Sequence, residues 1–253
     1  MEITLDDVAI GYGRHVVANG LKATLAGGSL VCLLGANGAG KSTLLRTIGG
    51  FQPALGGQVT MGGVPMNRLS AAQLSQSMSV VLTERIDVYG LTVRDLVGMG
   101  RAPYTGFWGT LQADDRRMVD LAMRQVGIGS LADRQVRSLS DGERQKAVIA
   151  KALAQHTPVI LLDEPTAFLD FPSKVDTLRL LSRLAHEMQK AVLLSTHDVE
   201  LALQLADGLW LMDGRGLSVG TPRELAADGT IARFFECQGV EFVPRTRSFH
   251  VTP

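Results

Sequence analysis

The sequence predicts an α/β protein: a mainly parallel sheet covered by helices, with an antiparallel β unit near its start and a helical unit inserted in its middle. Three observations carry this. Compact apolar runs of strand length, LVCLLG (30–35), PVILLDE (158–164) and AVLLSTHD (191–198), recur along the chain. Strands buried on both faces read as such continuous runs. Between them lie stretches with helical spacing, and strands alternating with helices favour a parallel sheet. The middle of the chain, about 91–154, is helical in character throughout.

Taken in order, residues 1–30 alternate apolar and polar residues (ITLDDVAI, VVANGLKATLAGG) with glycines between. This predicts short antiparallel strands and hairpins. LVCLLG follows as a buried central strand. KSTLLRTIGG (41–50) reads as a helix stopped by Gly49 and Gly50. QPALGGQVTMGGVPM is a second glycine-punctuated β segment. TVRDLVGMG, ADDRRMVDLAMRQVG and GERQKAVIAKALAQ fit helical spacing, as do SKVDTLRLLSRLAHEMQK and VELALQLAD after the next two strands. The closing FFECQGVEFVPRTRSFHV has the composition of paired strands.

The 253 residues suffice for one large domain or two modest ones. A hydrophobic share of 45% with 20% charged residues excludes a disordered chain. Lys+Arg and Asp+Glu are equal at 25 each, so no overall positive field favours nucleic acid as a partner. The two cysteines are Cys32, inside an apolar run where a small buried thiol is expected, and Cys237. A reduced cytosolic protein without disulfides is the expectation. The N-terminus MEITLDDVAIGYG does not read as a signal peptide. No apolar run approaches the roughly 18 residues of a membrane span, so work at a membrane requires a partner.

The sharpest chemical signal is GANGAGKST (35–43), which matches G-x-x-x-x-G-K-[ST] between a predicted strand and a predicted helix. Gly38 and Gly40 let the backbone bend so that N–H groups and the helix N-terminus cradle phosphates. Lys41 adds charge toward the β- and γ-phosphates, and the Ser42 hydroxyl suits Mg²⁺. The second signal is VILLDEPTAFLD (159–170), an apolar strand ending in two carboxylates at a sheet edge, where α/β proteins bind ligands. Asp163 suits Mg²⁺ through water. Glu164 is then placed to orient or deprotonate an attacking water. STHD (195–198) ends another buried strand and brings His197 to the same edge, within reach of a γ-phosphate and that water. Finally, Ser140 and Glu143 stand three apart ahead of a helical run, a capping box whose helix N-terminus is also an anion site.

With these motifs in this order, the chain resembles the nucleotide-binding subunits of ATP-binding cassette (ABC) transporters over about residues 12–225. GANGAGKST is similar to the family's Walker A loop, VILLDE to its Walker B strand, and LSDGE (139–143) to its signature motif. FLD, ending in Asp170, resembles the D-loop, and His197 the switch histidine. Tyr12 resembles the aromatic that stacks on adenine. The resemblance implies a RecA-like P-loop NTPase core with an antiparallel β subdomain and an inserted helical subdomain. It makes 1–253 one ATPase domain: about 1–85 and 156–225 as catalytic core, about 86–155 as helical subdomain and about 226–253 as C-terminal extension. It implies ATP held by Tyr12, Gly35, Asn37, Gly38, Ala39, Gly40, Lys41, Ser42 and Thr43, with Mg²⁺ at Ser42 and Asp163 and with Glu164 and His197 catalytic. Ser140, Asp141, Gly142 and Glu143 would face the ATP of a second copy arranged head to tail. The implied setting is cytoplasmic, on the inner face of the cell membrane through permease subunits, with a substrate-binding protein completing the complex.

Within the family, LTVRDLVGMGRAPYTGFWG (91–109) resembles importers of iron chelates, haem and cobalamin, which commonly read GR-x-P-[HY]; Gly100, Arg101, Pro103 and Tyr104 match. An ABC ATPase of another transport class, or an ATP-driven clamp without a membrane partner, is the alternative. Tyr104, Phe107 and Trp108 serve either packing of the helical unit or a surface for a permease helix. Three positions depart from the family pattern. Asp141 replaces a glycine, Glu143 a glutamine, and in VVLTERID Glu84 stands nearest to a glutamine that reaches Mg²⁺, with Thr83 the other candidate. These acids are either tolerated variants or a weakening of ATP binding that Mg²⁺ offsets. The Asp141 charge opposes a γ-phosphate unless it turns aside to the backbone.

Overall fold

The computed structural model describes residues 1–82, 88–106, 109–236 and 240–251. In chain order the elements are β1 (Ile3–Tyr12), β2 (His15–Leu25), β3 (Ser29–Leu34), α1 (Lys41–Ile48), β4 (Gly56–Met61), β5 (Val64–Pro65), α2 (Ala71–Ser77) and β6 (Met78–Val81). The helical stretch follows, with α3 (Val93–Gly98), α4 (Ala113–Val126) and α5 (Asp141–Ala154). Then come β7 (Val159–Leu162), α6 (Phe171–Met188), β8 (Ala191–Ser195), α7 (Val199–Leu205), β9 (Gly208–Asp213) and β10 (Gly216–Gly220). The described chain closes with α8 (Pro222–Ala227), α9 (Thr230–Phe235), β11 (Val240–Val243) and β12 (Ser248–Val251).

Two larger sheets organise these elements. A six-stranded sheet runs β10-β9-β3-β8-β7-β6, parallel from β9 to β6, with β10 antiparallel at its edge. A four-stranded antiparallel sheet runs β2-β1-β4-β5. The apolar runs of β3, β7 and β8 are what a strand with both faces covered requires. In β3, Leu30, Cys32 and Leu34 enter one core with α3–α7, while Val31 and Leu33 enter a second core with α1 and the four-stranded sheet. The same alternation divides Ile160 and Leu162 from Val159 and Leu161 on β7. Each fully buried Leu, Ile or Val contributes roughly 1.5–3 kcal/mol, so both cores anchor the strand ends that carry polar chemistry.

Several elements differ from expectation. The opening strands are long, ten and eleven residues, because β-bulges between Leu5 and Gly11 let the pair bend and continue rather than stop at each glycine. α6 begins at Phe171 rather than at Ser173, because Asp170 caps it and Pro172 tolerates the first turn. Phe234 and Phe235 end helix α9 instead of entering a strand; their rings meet edge-on at a centroid distance of 4.7 Å, and Phe235 packs against Phe249 of the small β11–β12 hairpin. Among the described residues no helix is long and apolar enough to cross a membrane. Thr83, Glu84, Phe107, Trp108 and Cys237, each singled out by the sequence, lie outside the described residues.

Candidate active site

The parallel register brings three strand ends to one edge. Leu33 on β3 pairs with Ser195 on β8, and Leu162 on β7 pairs with Leu194. The residues just beyond, Gly35, Asp163 and His197, therefore emerge side by side.

Gly35 to Gly40 form the turn between β3 and α1. At Gly35 a Cβ would lie 2.4 Å from the Met212 carbonyl, so only glycine passes. Gly40 precedes α1 with φ of 103°, a left-handed backbone, and a Cβ there would strike Val17 at 2.7 Å. Lys41 is buried at 6% exposure, and its Nζ donates to the carbonyls of Gly35 (2.8 Å) and Ala36 (3.2 Å). Burial lowers the pKa of this ammonium, against the pull of Glu164 and Asp163. The lysine thus lies across the loop, held by carbonyls in its own turn.

Asp163 is the hub. Its Oδ1 accepts from Ser42 Oγ at 3.1 Å and from Ser195 Oγ at 2.7 Å, and its N–H donates to Val81 O at 2.8 Å. Glu164 takes a left-handed φ of 48°, unusual for a residue with a side chain, and its N–H donates to Ser195 Oγ at 2.8 Å. That turn swings its carboxylate to His197, whose Nε2 lies 2.8 Å from Oε1. With the carboxylate ionised, Nε2 is the donor. Behind this pair, Asp198 accepts from Thr166 Oγ1 at 2.9 Å and from Lys174 Nζ at 2.7 Å, anchoring the loop after β8 to α6. Tyr12 is half exposed and its hydroxyl is 3.1 Å from Thr43 Oγ1, which places the ring beside the first turn of α1. A cavity of about 810 Å³ borders the loop and His197, with Asn37, Gly38, Asp213 and Arg233 among its walls.

Ser140 to Glu143 lie apart from this cluster, at the start of α5. The capping box is complete: Glu143 N–H donates to Ser140 Oγ at 3.2 Å, and Glu143 Oε2 accepts from the Ser140 N–H at 2.9 Å. That backbone bond is the first cause of a lowered Glu143 pKa. Asp141 turns to Arg144, three residues on along the same helix, at 3.0 Å. Gly142 faces the first turn of α6, where a Cβ would come within 3.1 Å of Ser173 Oγ. Asp170 caps α6 through the Ser173 N–H at 3.0 Å. Sequence reasoning did not assign Ser195, Thr166 or Lys174. The only available signal was the hydroxyl at a strand end next to His197.

Comparison with known proteins identifies the family. The model of the ABC transporter family matches residues 18–167. The chain belongs to that family and is an ATP-binding, ATP-hydrolysing member of it. It is 38% identical over 255 residues to the cobalamin import ATP-binding protein BtuD of Halobacterium salinarum, with all of this chain matched but only 63% of that longer relative. It is 34% identical over 227 residues to the iron(3+)-hydroxamate import ATP-binding protein FhuC of Bacillus subtilis, covering 87% of this chain and 84% of that one. Among solved structures, a putative metal-chelate type ABC transporter in an inward-facing conformation superposes with a TM-score of 0.81 at 27% identity, over 92% of this chain and 88% of that chain.

Proposed function

We propose that this chain is the ATP-hydrolysing subunit of an importer for an iron chelate, haem or cobalamin, acting on separate permease subunits in the membrane as a head-to-tail pair of copies. The observation that carries the hydrolytic part is the Glu164–His197 contact of 2.8 Å beside the Ser42–Asp163 pair, at adjacent strand ends. The importer part is supported by the relatives' printed functions and by Gly100, Arg101, Pro103 and Tyr104.

ATP lies with adenine on Tyr12 and its phosphates along the N–H groups of Gly38, Ala39, Gly40 and Lys41. The Lys41 ammonium, held on loop carbonyls, needs only a small swing to reach the β- and γ-oxygens. Mg²⁺ suits Ser42 and Asp163: a hydroxyl and one carboxylate oxygen 3.1 Å apart are hard ligands, and this ion completes its shell with phosphates and water. When bound, it neutralises charge on the phosphate oxygens. Glu164 accepts a proton from the attacking water as its oxygen bonds to the γ-phosphorus and the bond to the β-bridging oxygen breaks, releasing ADP. His197 orients the Glu164 carboxylate and touches the γ-phosphate. Asp170 and the Ser140–Glu143 segment act across the pair. Glu84 stands, on sequence grounds, as a further oxygen ligand for the metal. A substrate-binding protein delivers the cargo to the permease, and the assembly sits on the cytoplasmic face of the membrane.

Glu164→Gln is the direct test. It should lower ATP turnover by about 10²–10⁴-fold while ATP binding persists, and ATP should then hold two copies together. Turnover within a few-fold of the parent would remove Glu164 as the base.

A further inference from the structure

The C-terminal end of α5 is tied down by side chains that the catalytic reading does not use. Helix ends leave four carbonyls without intrahelical donors. Here Arg101 Nη1 donates to Ala154 O at 2.9 Å, and Tyr104 Oη donates to Gln155 O at 3.0 Å. Arg101 is itself fixed: its Nε donates to Asp115 at 2.9 Å in a buried pair, and its guanidinium lies over the Tyr104 ring at 3.9 Å. Gly100 lets the turn approach, since a Cβ there would lie 2.1 Å from Lys151 O. The Gln155 side chain then reaches away from the helix. Both hydrogens of Nε2 are used, on Ser75 O at 2.6 Å and Met78 O at 3.0 Å, where α2 passes into β6.

We propose that Gln155, backed by Arg101 and Tyr104, is a positioning clamp that sets the angle of α5 against the parallel sheet, and so where Ser140 is presented to the nucleotide of a second copy. The inference rests on the head-to-tail reading. α5 has fourteen residues, so its ends are about 20 Å apart. Over that lever a tilt of about 10° moves the far end by about 4 Å, well beyond the few tenths of an ångström that a hydrogen bond tolerates. Misplacement by about 1 Å already costs about 10²-fold in rate. A cap that served stability alone would need only the helix carbonyls satisfied. Gln155 instead gives one donor to α2 at Ser75 and the other to β6 at Met78, which ties the helix to the sheet edge.

The experiment uses the full chain in the Glu164→Gln background. Gln155→Leu keeps the packed stem and removes both donors. Sedimentation velocity with ATP should show the dimer Kd raised at least ten-fold, while the monomer's Kd for ATP, titrated at low protein concentration, stays within two-fold. Ile3→Val, in the remote core of the four-stranded sheet, controls for a general loss of stability and should leave dimerisation unchanged. Dimerisation of Gln155→Leu equal to its parent overturns the clamp, as does an equal loss in Ile3→Val. If the Glu164→Gln parent binds ATP yet stays monomeric, the head-to-tail reading itself fails and the clamp falls with it.

Discussion

The two helix starts that the proposed mechanism uses are built differently. Around the loop at 35–43, groups from three strands and a helix converge, with Lys41, Asp163 and Ser195 buried, and Asp163 joins Ser42 and Ser195 from distant parts of the chain. At 140–143 the bonds are local: Ser140 with Glu143, Asp141 with Arg144, and Arg134 beside them at 3.3 Å from Glu143. Both are helix N-termini. One is finished within the chain, while the other is a preformed but exposed cap whose aim depends on how the rest of its helix is held. On the proposed head-to-tail pairing, a rigid half-site and an orientable half-site would suit closure on ATP.

That contrast can be broken at several points. Lys41→Ala should do most, lowering kcat/KM for ATP by about 10²–10³-fold, as loss of one preorganised charge on a transferring phosphoryl group does. Steady-state kinetics would show it, and an unchanged value would mean that Lys41 never leaves its carbonyls. Alkaline pH probes the platform beneath the loop. The Cys32 thiol on β3 is pushed up to about 12, first by burial and then by Asp207. Because this acid is harder to ionise in the folded chain, its contribution is intact below pH 9 and declines as pH rises toward 12, by about 1.4 kcal/mol per unit. Urea unfolding of the parent against Cys32→Ala between pH 8 and 11 should isolate that slope; parallel curves would contradict it.

Smaller effects sharpen the other half. Ser140→Ala should cost about 0.5–2 kcal/mol of stability as a lost cap, while ATP binding stays and turnover falls far more than that stability change implies. Loss of stability without loss of turnover would reduce the segment to a helix start. Asp141→Asn should be the mildest. The exposed Asp141–Arg144 pair is worth at most about 1 kcal/mol, and removing its charge should leave turnover equal or higher. A large drop in turnover would show that the acid has a positive role.

Legibility in the sequence followed the range of the interactions. β3, β7 and β8 were readable because two covered faces demand unbroken apolar runs. The capping box at Ser140 was readable because its partners are three residues apart. α2, β6 and the final helices were not, since they are short; α2 buries no residue, and its Ser70–Gln73 capping box was a local signal that went unread. The Asp163–Ser195 and Asp198–Lys174 contacts were equally hidden, because each joins elements whose adjacency follows from sheet order. The GR-x-P-Y stretch marked a subgroup, but the partners that its Arg101 and Tyr104 would find at the end of α5 could not be read from it.

By itself, then, the sequence determined the devices: a glycine turn that only small residues can form, a lysine and a serine at the first helical positions, carboxylates at the end of a doubly buried strand, and a self-capped helix. These rest on steric limits and on hydrogen bonds that close within a few residues. Tertiary structure decided which of them meet. Ser42 and Asp163 are 121 residues apart in the chain, and only the parallel register of β3, β8 and β7 brings their oxygens within 3.1 Å. The same packing left Ser140 facing outward, at the far end of a helix held from behind by Gln155.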